Sequence, residues 1–176
     1  MHKVIEKYSG GLKTVWLGFP MIPGLGGKRL ELSIVNRSRM RAVAEEPNLI
    51  FNVWSDTSLP LVSIFALEAG HCAQHQGTKA FERYHFALFR AYFENNRDIS
   101  DRKVLLDVAK DSGLDVTRLA SDMDTGRGRM EIEHRRDTLM ARGNFAGVPT
   151  VFFGKGYPLE GVVPIQVYER AVRRKK

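Results

Sequence analysis

Apolar residues recur at helical spacing through the middle of the chain, and short β-forming runs lie toward its two ends. Residues 2–8 read as the last two turns of a helix closed by Gly10 and Gly11. Residues 12–19, Leu-Lys-Thr-Val-Trp-Leu-Gly-Phe, predict a strand. Pro20, Pro23, Gly24, Gly26 and Gly27 then predict a long loop. Ser33 is placed to cap a helix to about Glu46, which Pro47 and Asn48 stop. Residues 49–54 are short, apolar and extended.

The middle reads as helical throughout. A helix over about 59–76 ends at Gly77, where a left-handed cap suits glycine. The next covers about 78–95. Its Phe81, Tyr84, Leu88 and Ala91 form one face, and Phe86, Phe89 and Phe93 a second, so burial on most sides is expected. Ser100 caps a helix through Asp111, with Asp101 in its first turn and Gly113 past its end. Asp115 caps a short helix, and another covers about 128–142, closed by Gly143. Residues 148–154 then predict a strand entered through Pro149, and 157–161 an edge strand, since Pro158 lacks a ladder donor. Pro164 opens a final helix over 165–173. The order is helix, strand, all-helical insert, strand, strand, helix.

Composition narrows the class. With 176 residues, 43% of them hydrophobic and 10% aromatic, the chain can bury a core, which excludes a disordered, collagen-like or disulfide-stapled chain. The single cysteine, Cys72, excludes an internal disulfide and any CxxC pair within these residues. No apolar run approaches the roughly 18 residues of a membrane span. Residues 1–10 show no apolar core or cleavage site of an export signal, so cytoplasmic residence is the default expectation, and the sequon Asn36-Arg37-Ser38 carries no weight.

The element order, with Gly147-Val148-Pro149-Thr150 before the penultimate strand, resembles the thioredoxin-like fold of the DsbA family. It is most similar to the branch of FrnE-like oxidoreductases and 2-hydroxychromene-2-carboxylate isomerases. The resemblance rests on Trp16-Leu17-Gly18-Phe19-Pro20-Met21-Ile22-Pro23, on Ala87-Leu88-Phe89-Arg90-Ala91-Tyr92-Phe93 with Arg97-Asp98-Ile99-Ser100-Asp101, and on Gly113-Leu114-Asp115. Glu160-Gly161 and the last helix complete it, so the likeness spans nearly the whole chain. It implies an α/β fold: a thioredoxin-like sheet with an inserted all-helical subdomain, N-terminally truncated. Residues 1–54 and 144–176 would form the two parts of the thioredoxin-like domain, and 55–143 the insert and return helix.

In relatives a Cys-Pro-x-Cys helix precedes the strand matched by residues 15–19, and residues 2–8 match only its tail. The cysteine pair is expected upstream of Met1. The family's chemistry needs a thiolate at a helix N-terminus and a second thiol to resolve the mixed disulfide. These residues offer neither, so no catalytic residue is assigned. What the resemblance leaves is a substrate platform at Gly147, Val148 and Pro149, where a cis-proline turn would present the Val148 backbone to a peptide or thiol. The expected function is a disulfide oxidoreductase lineage, inactive as given. The alternatives are a non-catalytic peptide- or thiol-binding module and a glutathione-dependent isomerase or transferase of the kappa-like branch.

Other constellations read as structural. His71 and His75 stand at i, i+4 beside Cys72, but no acidic third ligand is evident, and neither metal nor cofactor is expected. His85 and His134 read as structural or surface residues. Glu131, Glu133 and Asp137 interleave with Arg129, Arg135 and Arg136 as on a solvated helix face. The loop with Lys28 and Arg29 fails the phosphate-binding pattern, though either could assist an anionic thiol. Charge is +7, from 27 basic and 20 acidic residues. Part of it lies in Arg170, Arg173, Arg174, Lys175 and Lys176, but no nucleic-acid fold accompanies them, so neither nucleic acid nor membrane is an expected partner. Peptide thiols or glutathione are. Without its first strand, the strands at 12–19 and 149–154 would flank a gap with unpaired backbone groups. A longer true N-terminus is the favoured resolution; the rivals are residues 49–53 or a second copy, giving a homodimer.

Overall fold

The computed structural model describes residues 2–8, 12–21, 31–55, 62–141, 147–154 and 158–173. Eight helices and two short strands are present among them: α1 (His2–Lys7), α2 (Leu32–Glu45), α3 (Ile64–Gln74), α4 (Thr78–Phe93), α5 (Arg102–Asp111), α6 (Val116–Asp124), α7 (Arg127–Ala141), β1 (Thr150–Val151), β2 (Leu159–Glu160) and α8 (Ile165–Arg173).

Helix α3 is the hub of the insert. It packs against α4, α5, α6 and α7. The core there gathers Ala69, Cys72, Tyr84, Leu105 and Leu119. Gly128 lets α7 approach closely: a Cβ there would meet Cys72 Sγ and His71 Cδ2 at 3.3 Å. A second, smaller core joins Val4 of α1 to Tyr168 and Val172 of α8, with Val151, Phe153 and Leu159 against it. The strands pair antiparallel, Thr150 opposite Glu160 and Val151 opposite Leu159.

Helix α2 is attached by polar side chains. The Asn36 amide exchanges two hydrogen bonds of 2.8 Å with the backbone of Trp54. Arg39 is buried, and its guanidinium donates to the carbonyls of Asn52, Phe93 and Tyr92 and to Asn96 Oδ1. It also lies over the rings of Tyr92, Phe93 and Trp54, 4.7, 5.1 and 5.5 Å from their centroids. Its positive charge thus sits at the carbonyl end of α4, the negative pole of that helix.

Several expectations are corrected. Residues 12–20 form no helix and join no ladder. A strand needs a facing edge, and the ladder among the described residues is β1 with β2 alone. Trp16 packs on the helical core instead, and Gln74 Nε2 donates to its carbonyl at 3.0 Å. The strands at 148–154 and 157–161 contract to two residues each for the same reason. Helix α2 starts at Leu32 with Glu31 as its cap residue, so Ser33 lies inside it. The helix expected over 59–76 is described over Ile64–Gln74. Asp101 rather than Ser100 caps α5, accepting from Lys103 N–H at 2.8 Å, while Ser100 turns to Asp98. Asp115 caps α6 through the Arg118 N–H, as read. Gly10, Gly11, the loop with Pro23 to Gly27, and Gly143 lie outside the described residues.

Candidate functional site

The turn before β1 is built from Gly147 to Thr150. Gly147 has φ 153°, a conformation that favours glycine. The Val148–Pro149 peptide is cis. Thr150 Oγ1 closes the turn by donating to the Gly147 carbonyl. Gly161, at φ 73° just past β2, donates its N–H to the Pro149 carbonyl at 2.8 Å. The far side of the hairpin rests on the Val4–Tyr168–Val172 core through Val151 and Leu159. Val148 itself faces outward, 48% exposed. Its N–H and C=O meet no partner among the described residues. The result is an exposed turn on a braced support, with a backbone N–H and C=O free to pair with an extended chain.

Cys72 offers no comparable chemistry. It lies late in α3, far from that helix's N-terminus, and is 2% exposed. Burial, reinforced by the charges of Glu68 and Asp122, pushes its thiol up to about 11. At neutral pH it is a protonated core residue, not a nucleophile. Accordingly, Ellman's reagent at mildly alkaline pH should leave the native thiol unmodified and titrate it fully once urea is added; rapid native labelling would contradict the burial.

His71 and His75 are adjacent, with ring centroids 5.3 Å apart, and His71 Nε2 lies 3.1 Å from Glu131 Oε2. The sequence spacing exposed the histidine pair and missed Glu131, which arrives from α7. Among the described residues no three His, Cys, Asp or Glu are grouped to hold a metal ion. Burial lowers the His71 pKa, against the opposing pull of Glu131. His134 is exposed. The charged face of α7 is a partial correction: Arg136 pairs with Asp137 at 2.9 Å, but Arg129 turns inward to the buried Glu68 at 2.8 Å. Lys28, Arg29, Arg174, Lys175 and Lys176 lie outside the described residues, and Arg173 Nε is 3.4 Å from Tyr8 OH.

His85 occupies an aromatic nest, with ring centroids of Phe89, Trp16 and Phe81 at 4.9, 5.0 and 5.3 Å. Burial lowers its pKa below the ordinary 6.5. The unfolded chain therefore binds this proton more readily, and stability falls as pH drops below 6.5 toward the folded value. His85→Phe should flatten the fall in urea midpoint between about pH 7 and 5. An unchanged slope would assign that fall to other groups, His71 among them.

A small sheet with a flanking C-terminal helix, a glycine-valine-proline turn at its edge and a helical bundle inserted ahead of it define a thioredoxin-like protein of α/β class. Residues 2–173 match the DSBA-like thioredoxin domain, and the chain belongs to that family, whose lineage is that of thiol–disulfide oxidoreductases. No curated protein matches the chain.

Proposed function

We propose that these 176 residues act as a binding module for extended peptides or small thiols at the Val148 turn, and do not themselves perform two-thiol exchange. The observation that supports this reading is the exposed Val148 beside β1, whose backbone N–H and C=O are unpartnered among the described residues. An extended ligand would pair its backbone with the Val148 N–H and C=O, and the exposed Val148 and Phe152 side chains would supply apolar contact. The second half of the proposal follows from the single, buried, high-pKa cysteine, because exchange needs an attacking thiolate and a resolving thiol. The finer placement, nearest the FrnE-like branch, stays part of this proposal.

The test pairs amide chemical-shift mapping with an insulin assay. Titrating reduced insulin B chain, and separately glutathione, into ¹⁵N-labelled protein should shift the amides of Val148, Thr150 and Gly161 first. Shifts confined to the helical insert would overturn the placement. Insulin reduction by dithiothreitol should proceed at the uncatalysed rate; acceleration that Cys72→Ser abolishes would overturn the non-catalytic reading.

A further inference from the structure

A groove of about 690 Å³ runs along the outer side of α4 to the C-terminal end of α5, on the helical insert. Its wall is a charged stripe. At about 100° per residue, Lys79, Arg83 and Arg90 fall within about 40° of one another around α4. Phe86 lies in the same strip, about 20° beyond Lys79. All four line the groove, together with Glu82 and Asp111.

Three cations of α5 and the turn before it are met by carboxylates. Lys103 and Arg97 face Asp107 at 2.9 and 3.5 Å, and Arg102 faces Asp124 at 2.8 Å. Lys79, Arg83 and Arg90 form no such pair among the described residues, although two carboxylates line the same groove. Arg83 is also held in place: its Nε donates to the Ser112 carbonyl at 3.0 Å at the end of α5. One guanidinium is therefore fixed by the fold, with its remaining donors uncommitted to a carboxylate. The spacing of the stripe, about 16 Å from Lys79 to Arg90 at 1.5 Å per residue, suits a short peptide better than a compact anion.

We propose that this groove docks an acidic peptide segment carrying an apolar side chain. Lys79, Arg83 and Arg90 meet its carboxylates, and Phe86 with Ala87 receives its apolar residue. The guanidinium groups suit bidentate carboxylate pairing, and the apolar floor sets the register. Glu82 and Asp111 repel basic segments, which adds discrimination. The site is independent of the Val148 turn and does not rest on the function proposed for it.

Fluorescence anisotropy with the labelled peptide Glu-Glu-Leu-Glu-Glu-Leu tests this on the full chain, with Lys-Lys-Leu-Lys-Lys-Leu and a single-stranded oligonucleotide of matched charge as comparisons. The acidic peptide should bind most tightly and weaken with added salt. Lys79→Glu with Arg90→Glu, neither holding a backbone carbonyl through its side chain, should weaken it at least tenfold. Arg37→Glu with Arg170→Glu, the same charge change on α2 and α8, should change it less than twofold. Equal weakening by both pairs would show attraction to net charge alone and overturn the site. So would tighter binding of the oligonucleotide or of the basic peptide, or no binding of the acidic one.

Discussion

Arg39→Ala is expected to cost about 3–5 kcal/mol of folding stability, with a melting point lower by roughly 10 °C. The side chain is 3% exposed, and its guanidinium is the common partner of α2, the 49–55 segment and the end of α4. Its removal strips donors from the Tyr92 and Asn52 carbonyls and opens a cavity beneath Trp54. Carbonyls left unpaired away from water each cost about 1–3 kcal/mol. Arg39→Lys keeps the charge but cannot fork between several acceptors, so an intermediate loss is expected. Equilibrium urea unfolding measures the loss, and Trp54 fluorescence, now from a buried ring, should shift to the red. A loss under about 1 kcal/mol would mean that α2 is held by Asn36 and packing alone.

Removing Arg129 is the second large effect. Glu68 is 1% exposed, and both Arg129 contacts, from Nε at 3.2 Å and Nη2 at 2.8 Å, reach the same carboxylate oxygen, Oε2. Oε1 has no hydrogen-bond partner. Arg129→Ala leaves a buried carboxylate uncompensated and should cost about 3–5 kcal/mol. The double change Glu68→Ala with Arg129→Ala should cost much less than the two single losses added together, because the stranded charge is gone. That double change also separates the stranded charge from lost packing. Single losses that simply add in the double variant would attribute the cost to the stacking of Arg129 on Phe65, 5.0 Å from its ring centroid.

Both effects turn on residues that the sequence does not single out. Arg39 sits in a run of polar residues on α2, Asn36-Arg37-Ser38-Arg39, where any position reads as surface. Its partners Tyr92 and Asn96 are 53 and 57 residues away. Glu68 is an acidic residue in an otherwise apolar helix, and its partner is 61 residues on. Arg129 reads as one of several alternating charges of α7. Opposite charges that meet across elements leave no periodic trace, because the period reports which face is buried and not what lies opposite.

What is local was legible. The apolar face of α4 was read as Phe81, Tyr84, Leu88 and Ala91, and these are its four buried residues. The limits of α8 were read to the residue, because Pro164 and the amphipathic run fix both ends. The cis peptide between Val148 and Pro149 was legible through the family's sequence pattern, and the lone cysteine by itself excluded an internal disulfide. Whether residues 12–19 become a strand was a tertiary decision. Their β-forming side chains favour an extended chain, but a ladder needs a second edge at about 4.8 Å, which no property of eight consecutive residues can supply, and none is formed there. The inertness of Cys72, the aromatic nest of His85 and the uncompensated stripe of α4 were decided in the same way. Each depends on how many groups from distant segments crowd or leave open one point, and packing alone determines that number.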